Sequence, residues 1–494
     1  MKEKNYCQAN PNPEYLIKSI AEQGYTLDTA LADLLDNSIS AEANKIEIIT
    51  DTSSSDENMR LYLTDNGYGM TESELEKNMH FPSSLMEANR NIEDLGRFGL
   101  GLKTASFSQT RKFTVLSRKK GTDKFYGRTW DVDYLKQTQE WRMIINSSNE
   151  VETLLKDYNR VLGLTLNQFN DYQCNTIIIW DGLRKFQNII DPSKRAEALK
   201  NQLTFSTSEY LGIVFHKFIE NGLKIRINNI RVEAFDPFNS NEKNGIRSLG
   251  RREREFGEDV LGLEGFVLPN QAIRDENIRT RFLPQSGKKG LLDLEGIYIY
   301  RGNRIIYFGG WNGLIKKSSR LQLARMMIDV ENVNDDLLHL NVAKSQITIP
   351  FDLRRAVETY LEDLTKEAHV EYYNYGSRKR RDPKEKELEF IERQPSSKGA
   401  IYKVNLKTPL VNDLLSSLND DQEKLFKKVL LAMNSTMNQM RNLDDKKDSA
   451  KIIEDEELEF KSYYHELINS GLSHERAIRT ISRTLGVDKS LIII

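Results

Sequence analysis

The stretch Leu31-Ala-Asp-Leu-Leu-Asp-Asn-Ser38 decides how the chain is read. Leu31, Leu34, Leu35 and Ile39 recur at spacings of three and four, the apolar stripe of an amphipathic helix. Asp33 and Asn37 are four apart, so they stack one turn from each other on another face. A carboxylate and a carboxamide in that relation place a candidate base beside a candidate metal ligand. For the pair alone, two solvated polar residues on a surface helix is the commoner arrangement. The motifs downstream reverse that balance.

A chain of 494 residues has room for two to four domains. Its 38% hydrophobic and 29% charged content is ordinary for a soluble protein. A formal net charge of -2 gives no global pull toward nucleic acid or anionic lipid, so any such binding rests on local patches. Cys7 and Cys174 make neither a disulfide framework nor a zinc site, which fits a reducing compartment. No apolar run approaches the ~20 residues that span a bilayer. Met1–Cys7 lacks the apolar core of a signal peptide. The expectation is a cytoplasmic protein without membrane contact.

Periodicity divides the chain. Residues 1–24 form an N-terminal strap, and 11–41 are helical with a break at Gly24-Tyr25-Thr26. Strands are predicted at 45–50, 60–64, 112–117, 125–131 and 175–180, making 25–200 an α/β sandwich with its helical layer on one face. A second α/β region, 201–375, has a strand at 224–228 and a hairpin over Gly296–Tyr307, turning at Arg301-Gly-Asn303. Helices are predicted at 314–327 and 350–369, with a loop insertion at about 239–291. The insertion's Arg247, Arg251, Arg252, Arg254, Lys288 and Lys289 suit phosphate, but neighbouring acidic residues make a solvated loop equally good. A charged linker spans 376–399; its basic run 378–381 suits nucleic acid, an import signal or a solvated helix end. Residues 400–494 are mostly helical, with Leu425, Val429, Leu430 and Met433 on one stripe. The pair 456–469 and 474–485 has the outline of a helix-turn-helix.

Three motifs follow the opening helix. Thr64-Asp-Asn-Gly-Tyr-Gly-Met70 leaves a strand: Asp65 is placed to accept from an exocyclic amine, and Gly67 and Gly69 let a flat ring approach the backbone. Gly96-Arg-Phe-Gly-Leu-Gly-Leu-Lys103 enters a helix at 101–109, where free N–H groups suit a polyphosphate. It has neither the Walker ending nor the strand context of a dinucleotide fingerprint. The polar, aperiodic 80–95 before it reads as a lid. Thr176 opens the apolar strand 175–180, with a hydroxyl within reach of the same ring as Asp65.

In order and interval, Asp33-x-x-x-Asn37, Asp65-x-Gly67-x-Gly69, Gly96-x-x-Gly99-x-Gly101 and Thr176 resemble the motifs of the GHKL ATPases. That superfamily includes gyrase, heat-shock chaperones, MutL, MORC proteins and histidine kinases. The resemblance implies a Bergerat-fold ATPase α/β sandwich, then a transducer α/β domain carrying the 296–307 hairpin, then the helical C-terminal region. It further implies ATP and Mg²⁺ as ligands. Asn37 would hold the metal, Asp33 would orient and deprotonate water, and Asp65 with Thr176 would read adenine. Gly67, Gly69 and Met70 would line the base, and Gly96, Gly99, Leu100, Gly101, Leu102 and Lys103 the phosphates. Lys344, in Asn341-Val-Ala-Lys-Ser345, occupies the place of the transducer lysine that reaches the γ-phosphate. Where the family most often has Glu, this chain has Asp33, one methylene shorter, so slow hydrolysis is expected.

Within the superfamily the signature is most similar to prokaryotic MORC-like and MutL-like ATPases of defence loci. That similarity implies a homodimer closing on ATP, and allows DNA and a nuclease or helicase among its partners. A histidine kinase is excluded, because no histidine precedes Asp33 to accept phosphate. A chaperone-like ATPase and a nucleotide-sensing scaffold with little turnover remain the alternatives.

Overall fold

Capping chemistry starts the first two helices. Asn12 accepts from the Glu14 N–H at the start of α1 (Pro13–Ala21), and Pro13 supplies a helical φ. Thr26 and Thr29 cap each other reciprocally at the start of α2 (Leu27–Ser40), which realises the break expected at 24–26. The computed structural model describes residues 11–22, 24–52, 59–81, 100–164, 169, 172–239, 245–256, 259–331, 351–373, 390–396 and 399–442, with scattered positions between 464 and 478. The expected lid beyond Phe81, most of the linker and nearly all of the 456–485 helix pair lie outside the described residues, as does the strap before Pro11.

The first sheet comprises β1 (Lys45–Asp51), β2 (Arg60–Asp65), β3 (Thr110–Ser117), β4 (Tyr126–Asp131), β5 (Ile144–Asn146), β6 (Thr176–Leu183), β7 (Lys224–Ile227) and β8 (Ile230–Arg231). Its order is β5-β4-β3-β6-β2-β1-β7-β8, antiparallel except where β1 meets β7. The apolar run Ile177–Trp180 of β6 is central and buried, as its lack of alternation requires. The sequence assigns 224–228 to the second region; the structure adds it to the first sheet. Ile225 and Ile227 pair with Ile46 and Ile48 and continue their apolar face.

On that face lie α1, α2 and α4 (Gly101–Gln109), contributing Ile17, Ala30, Leu31, Leu34, Leu35, Ala105 and Phe107 to one core. The opposite face is also covered, contrary to the one-sided layer expected. Val151, Tyr158 and Val161 of α6 (Ser148–Gly163) pack there on Ile49, Tyr62, Leu116, Ile177 and Ile179. Arg128 of β4 is buried and reaches Glu72 and Glu76 of α3 (Glu72–Met79) at 3.2 and 3.1 Å, fixing that helix to the sheet. The helix α5 (Val132–Thr138) follows β4, capped by Asp131.

The second sheet contains β9 (Arg247–Ser248), β10 (Arg252–Phe256), β11 (Asp259–Val267), β12 (Gly296–Arg301), β13 (Arg304–Phe308) and β14 (Ala324–Glu331). Its order is β10-β11-β14-β12-β13, with β9 also on β11. The predicted hairpin is β12–β13. The expected loop insertion instead carries β9, β10 and β11, followed by the short helices Gln271–Arg274, Glu276–Arg279 and Thr280–Phe282. Leu261, Leu263 and Val267 alternate inward along β11, a period-two signal masked by glycine and charge. The helix predicted at 314–327 is replaced by turns and then β14, where Met326, Ile328 and Val330 face the core at every second position. The predicted 350–369 helix is present as Phe351–Tyr373.

The chain divides into two compact units, Met1–Leu364 and Thr365–Ile494. The second contains a hairpin not expected from the sequence, β15 (Ile391–Ser396) with β16 (Gly399–Val404), and the helices Pro409–Ser417 and Asp420–Asn442. Of the predicted stripe only Leu430 is buried, with Val404 and Val411; Leu425, Val429 and Met433 are exposed.

Gly265 of β11 is required by close packing. A Cβ there would meet Tyr360 Cε1 at 2.8 Å and Leu364 Cδ1 at 3.1 Å. Gly265→Ala is therefore expected to lower stability by roughly 1–3 kcal/mol in urea unfolding. Gly163→Ala is the control. It points into open space and is expected to be neutral or slightly stabilising, and equal behaviour of the two would contradict the packing described.

Candidate active site

Three separated segments converge on α2. At its C-terminal end Ser38 donates from Oγ to Asp65 Oδ2 at 3.0 Å. At its middle, Asp33 accepts from the Tyr25 hydroxyl at 2.8 Å, and Tyr25 in turn lies 3.3 Å from Thr104 of α4. A Cβ added to Gly101, the first residue of α4, would lie 3.9 Å from Asp33 Oδ2. The start of α4 thus opens directly beside the candidate base.

Asp65 ends β2 opposite Thr176, its register partner on β6. Burial pushes its carboxyl up to about 6, against the opposing effect of the Gly67 N–H and the Ser38 hydroxyl. The Gly67 N–H donates to Asp65 Oδ1 at 2.9 Å. Thr176 shares a 3.1 Å contact with the Ser117 hydroxyl, and the Met70 N–H donates to Ser117 Oγ at 3.0 Å. Asn175 closes the loop by donating from Nδ2 to the Gly67 carbonyl at 2.7 Å.

The two glycines here are obligatory for different reasons. A Cβ at Gly67 would stand 2.6 Å from the Ala41 carbonyl oxygen. Gly69 has φ +60, and its Cβ would collide with the Arg118 carbonyl oxygen.

The structure therefore brings together Asp65, Gly67, Gly69, Met70 and Thr176 at the end of the first sheet, and Asp33 with Gly101 one helical stretch away. Leu100 is the N-cap of α4, without a capping side-chain bond, and Leu102 packs partly into the core. Lys103 is buried, its ammonium 5.9 Å from the Phe81 ring centroid, and burial lowers its pKa to about 8. Gly96, Gly99 and Lys344 lie outside the described residues.

Asn37 is half-buried, and its Nδ2 is buried without a hydrogen-bond partner among the described residues. Among the described residues no cluster of three His, Cys, Asp or Glu forms a self-sufficient metal cage. A carboxamide with no surrounding cage suits Mg²⁺, which takes one or two protein ligands and completes its shell from phosphate and water.

Residues 25–162 match the family model described as "Histidine kinase-, DNA gyrase B-, and HSP90-like ATPase". The chain carries a GHKL-type ATPase domain. The matched span runs from Tyr25 through α6 and includes Asp33, Asn37, Asp65, Gly67 and Gly69. Thr176 and the second sheet lie beyond it. No curated protein matches the chain. In the described residues no helix is long and apolar enough to cross a membrane.

Sequence reasoning missed Ser38, Tyr25, Ser117, Asn175 and Arg304. Ser117 was legible only through register, since it pairs with Thr176 across β3 and β6. Arg304 stood out weakly, as an arginine heading the apolar strand Arg304-Ile-Ile-Tyr307. It is buried with its Nε 2.8 Å from Asp36 Oδ1 and Nη2 3.6 Å from Asp33 Oδ1. Burial opposes its charge, yet Asp36 and then Asp33 hold its pKa above the ordinary arginine value.

If Asp65 accepts from an exocyclic amine, its raised pKa makes that recognition pH-dependent. Protonation of the carboxyl toward and below about pH 6 would then remove the charge-assisted bond. ATP affinity in the GHKL domain is expected to fall roughly tenfold between pH 7.5 and pH 5, the scale of one charged hydrogen bond. In Asp65→Asn, affinity is expected to be weak and flat over that range. Titration calorimetry at both pH values measures it, and an unchanged pH dependence in the variant would place the titrating group elsewhere.

Proposed function

We propose that this chain binds Mg-ATP at the α2–β2–α4 site and hydrolyses it, with Asp33 as general base. The observation carrying the reading is the convergence of Asp33, the start of α4 and the Asp65–Thr176 pair on one helix. In this scheme Asp65 accepts from the adenine amine with Thr176 beside it. The Gly101 end of α4 turns backbone N–H groups toward the phosphates, with Lys103, Leu100, Gly96 and Gly99 in the same segment. Asn37 would hold Mg²⁺, which supplies charge neutralisation at the phosphates. Asp33 orients water and takes its proton as the water oxygen bonds the γ-phosphorus and the bond to the bridging oxygen breaks. Tyr25 holds Asp33 in orientation.

The resemblance to the MORC and MutL branch extends the proposal to a nucleotide-gated homodimeric clamp. ATP would pair two ATPase domains, Lys344 would reach the γ-phosphate, and turnover would reopen the pair. In that branch the clamp acts on DNA or a partner protein, in DNA transactions or antiphage defence. Asp at position 33, already engaged by Arg304 and Tyr25, favours slow turnover and keeps a nucleotide-sensing scaffold as the second reading.

Two measurements test the scheme. Asp33→Asn is expected to bind ATP nearly as well as the parent and to hydrolyse it roughly 10²-fold more slowly or worse. Asn37→Ala is expected to weaken Mg-ATP binding itself, and Asp33→Glu to preserve or raise the rate. Parental turnover in Asp33→Asn would remove Asp33 from the chemistry. Separately, light scattering is expected to show dimers with Mg²⁺ and a non-hydrolysable ATP analogue, and monomers or a looser dimer without. An unchanged mass and radius in the nucleotide-bound sample would reject the clamp.

A further inference from the structure

Arg304 is the first residue of β13, directly after the Gly302-Asn303 turn of the hairpin. It belongs to the second sheet, yet its guanidinium lies against the carboxylates of α2 in the first. Asp36 anchors the Nε at 2.8 Å, and Nη2 extends to Asp33 Oδ1 at 3.6 Å. Its Nη1 is buried with no hydrogen-bond partner among the described residues. The Phe215 ring lies 5.6 Å from the guanidinium carbon and closes the pocket from another side.

The two oxygens of Asp33 are thus approached from different parts of the fold. Oδ2 accepts from Tyr25, which leads into α2, while Oδ1 faces an arginine delivered by the β12–β13 hairpin. Hydrogen-bonded to Tyr25 at Oδ2 and facing the Arg304 charge across 3.6 Å at Oδ1, the carboxylate has a preferred rotation about its last torsion, and that rotation decides which lone pair faces the start of α4. Asp28 of α2 and Tyr210 of the helix Ser208–Val214 also lie around this cluster. Lys185 donates to the Tyr25 carbonyl rather than to Asp33.

We propose that Arg304 is the positioning residue through which the second sheet sets the orientation of Asp33, so that hydrolysis depends on where the hairpin stands. This rests on the reading of Asp33 as the base. A guanidinium is suited to the task because its planar fork engages two carboxylates at once, which a lysine ammonium does in a different geometry. Because the arginine heads its strand beside a two-residue turn, displacement of the hairpin draws it away from Asp33.

The experiment compares turnover with affinity for a non-hydrolysable ATP analogue in the full-length chain, for the parent, Arg304→Gln and Arg304→Lys. Arg304→Gln is expected to lose about tenfold or more in kcat while its affinity stays within about threefold. Arg304→Lys retains the charge, so it is expected to keep the fold and to fall between the two. Hydrogen exchange over 296–308 is expected to change on analogue binding in the parent and to lose that response in Arg304→Gln. If both variants hydrolyse at the parental rate, Arg304 does not position the base. Affinity and turnover lost in proportion would mean that Arg304 serves only stability. Should Arg304→Gln fail to fold, Arg304→Lys decides alone: reduced kcat with retained affinity supports the proposal, and parental kcat overturns it. A parent that neither binds nor hydrolyses ATP overturns the reading of the site, whereas an active parent with unaffected variants overturns the role of Arg304 alone.

Discussion

Two carboxylates three residues apart on a buried helix face require a cation. Asp33 and Asp36 are 3% and 1% exposed, and burying even one unpaired carboxylate is costly enough that the group would rather neutralise. Arg304, itself almost wholly buried, meets both. Such a cluster adds little net stability, because the desolvation of three ions offsets their attraction. Deleting one member is another matter, since about 3–5 kcal/mol is typical for leaving a buried charge uncompensated. The cluster therefore acts less as glue than as a constraint, tying the carboxylates of α2 to the hairpin.

That constraint explains why the two ends of the site are built differently. The Asp65 end is closed mainly by the first sheet. Ser117 and Thr176 lie on adjacent strands with Asn175 just before β6, and Asp65 is fixed by the nearby Gly67 N–H and by Ser38 of α2. Its geometry follows from strand register, which a one-residue slip would destroy. The Asp33 end draws on Tyr25, on α4 and on the second sheet. The first arrangement suits recognition of a rigid ring; the second suits a group whose placement responds to the rest of the molecule.

The same distinction governs what was legible in the sequence. α2, the loop after β2 and the helix beginning at Gly101 were readable because each carries its own signal: helical periodicity, glycines at a close approach, or a helix start. The ring of residues around them was not. Ser117 has no local mark and acquires its place only from pairing with Thr176. Arg304 sits some 270 residues beyond α2, and nothing in its neighbours announces a partner there. Misread elements fail for related reasons. β11 alternates correctly, but Gly262 and Gly265 stand where Arg251 and Tyr360 need room, so packing requirements imitate loop composition. β14 lies in a stretch where Leu323, Met326 and Met327 also satisfy helical spacing, and the strand is selected by its parallel partner β12. The β15–β16 hairpin was hidden by proline and serine, which read as linker but are tolerated on a two-stranded edge.

The substitution of aspartate for the commoner glutamate at position 33 takes its meaning from these neighbours. A shorter side chain has one fewer torsion, so its oxygens go where the helix points them. Reaching a water then depends on the position of α2 itself. Here α2 is fixed through Ser38 to the end of β2, through Tyr25 and Thr104 to α4, and through Asp36 to the second sheet. A glutamate could compensate for a shift of the helix by changing rotamer; an aspartate cannot. Loss of that adjustability makes the Asp33 carboxylate more sensitive to each of the three attachments. Of these, only the one through Arg304 spans from one sheet to the other. With Asp33 as the proposed base, the shortened side chain and the arginine from the second sheet would be parts of one device, in which reach is limited at the residue and supplied by the fold.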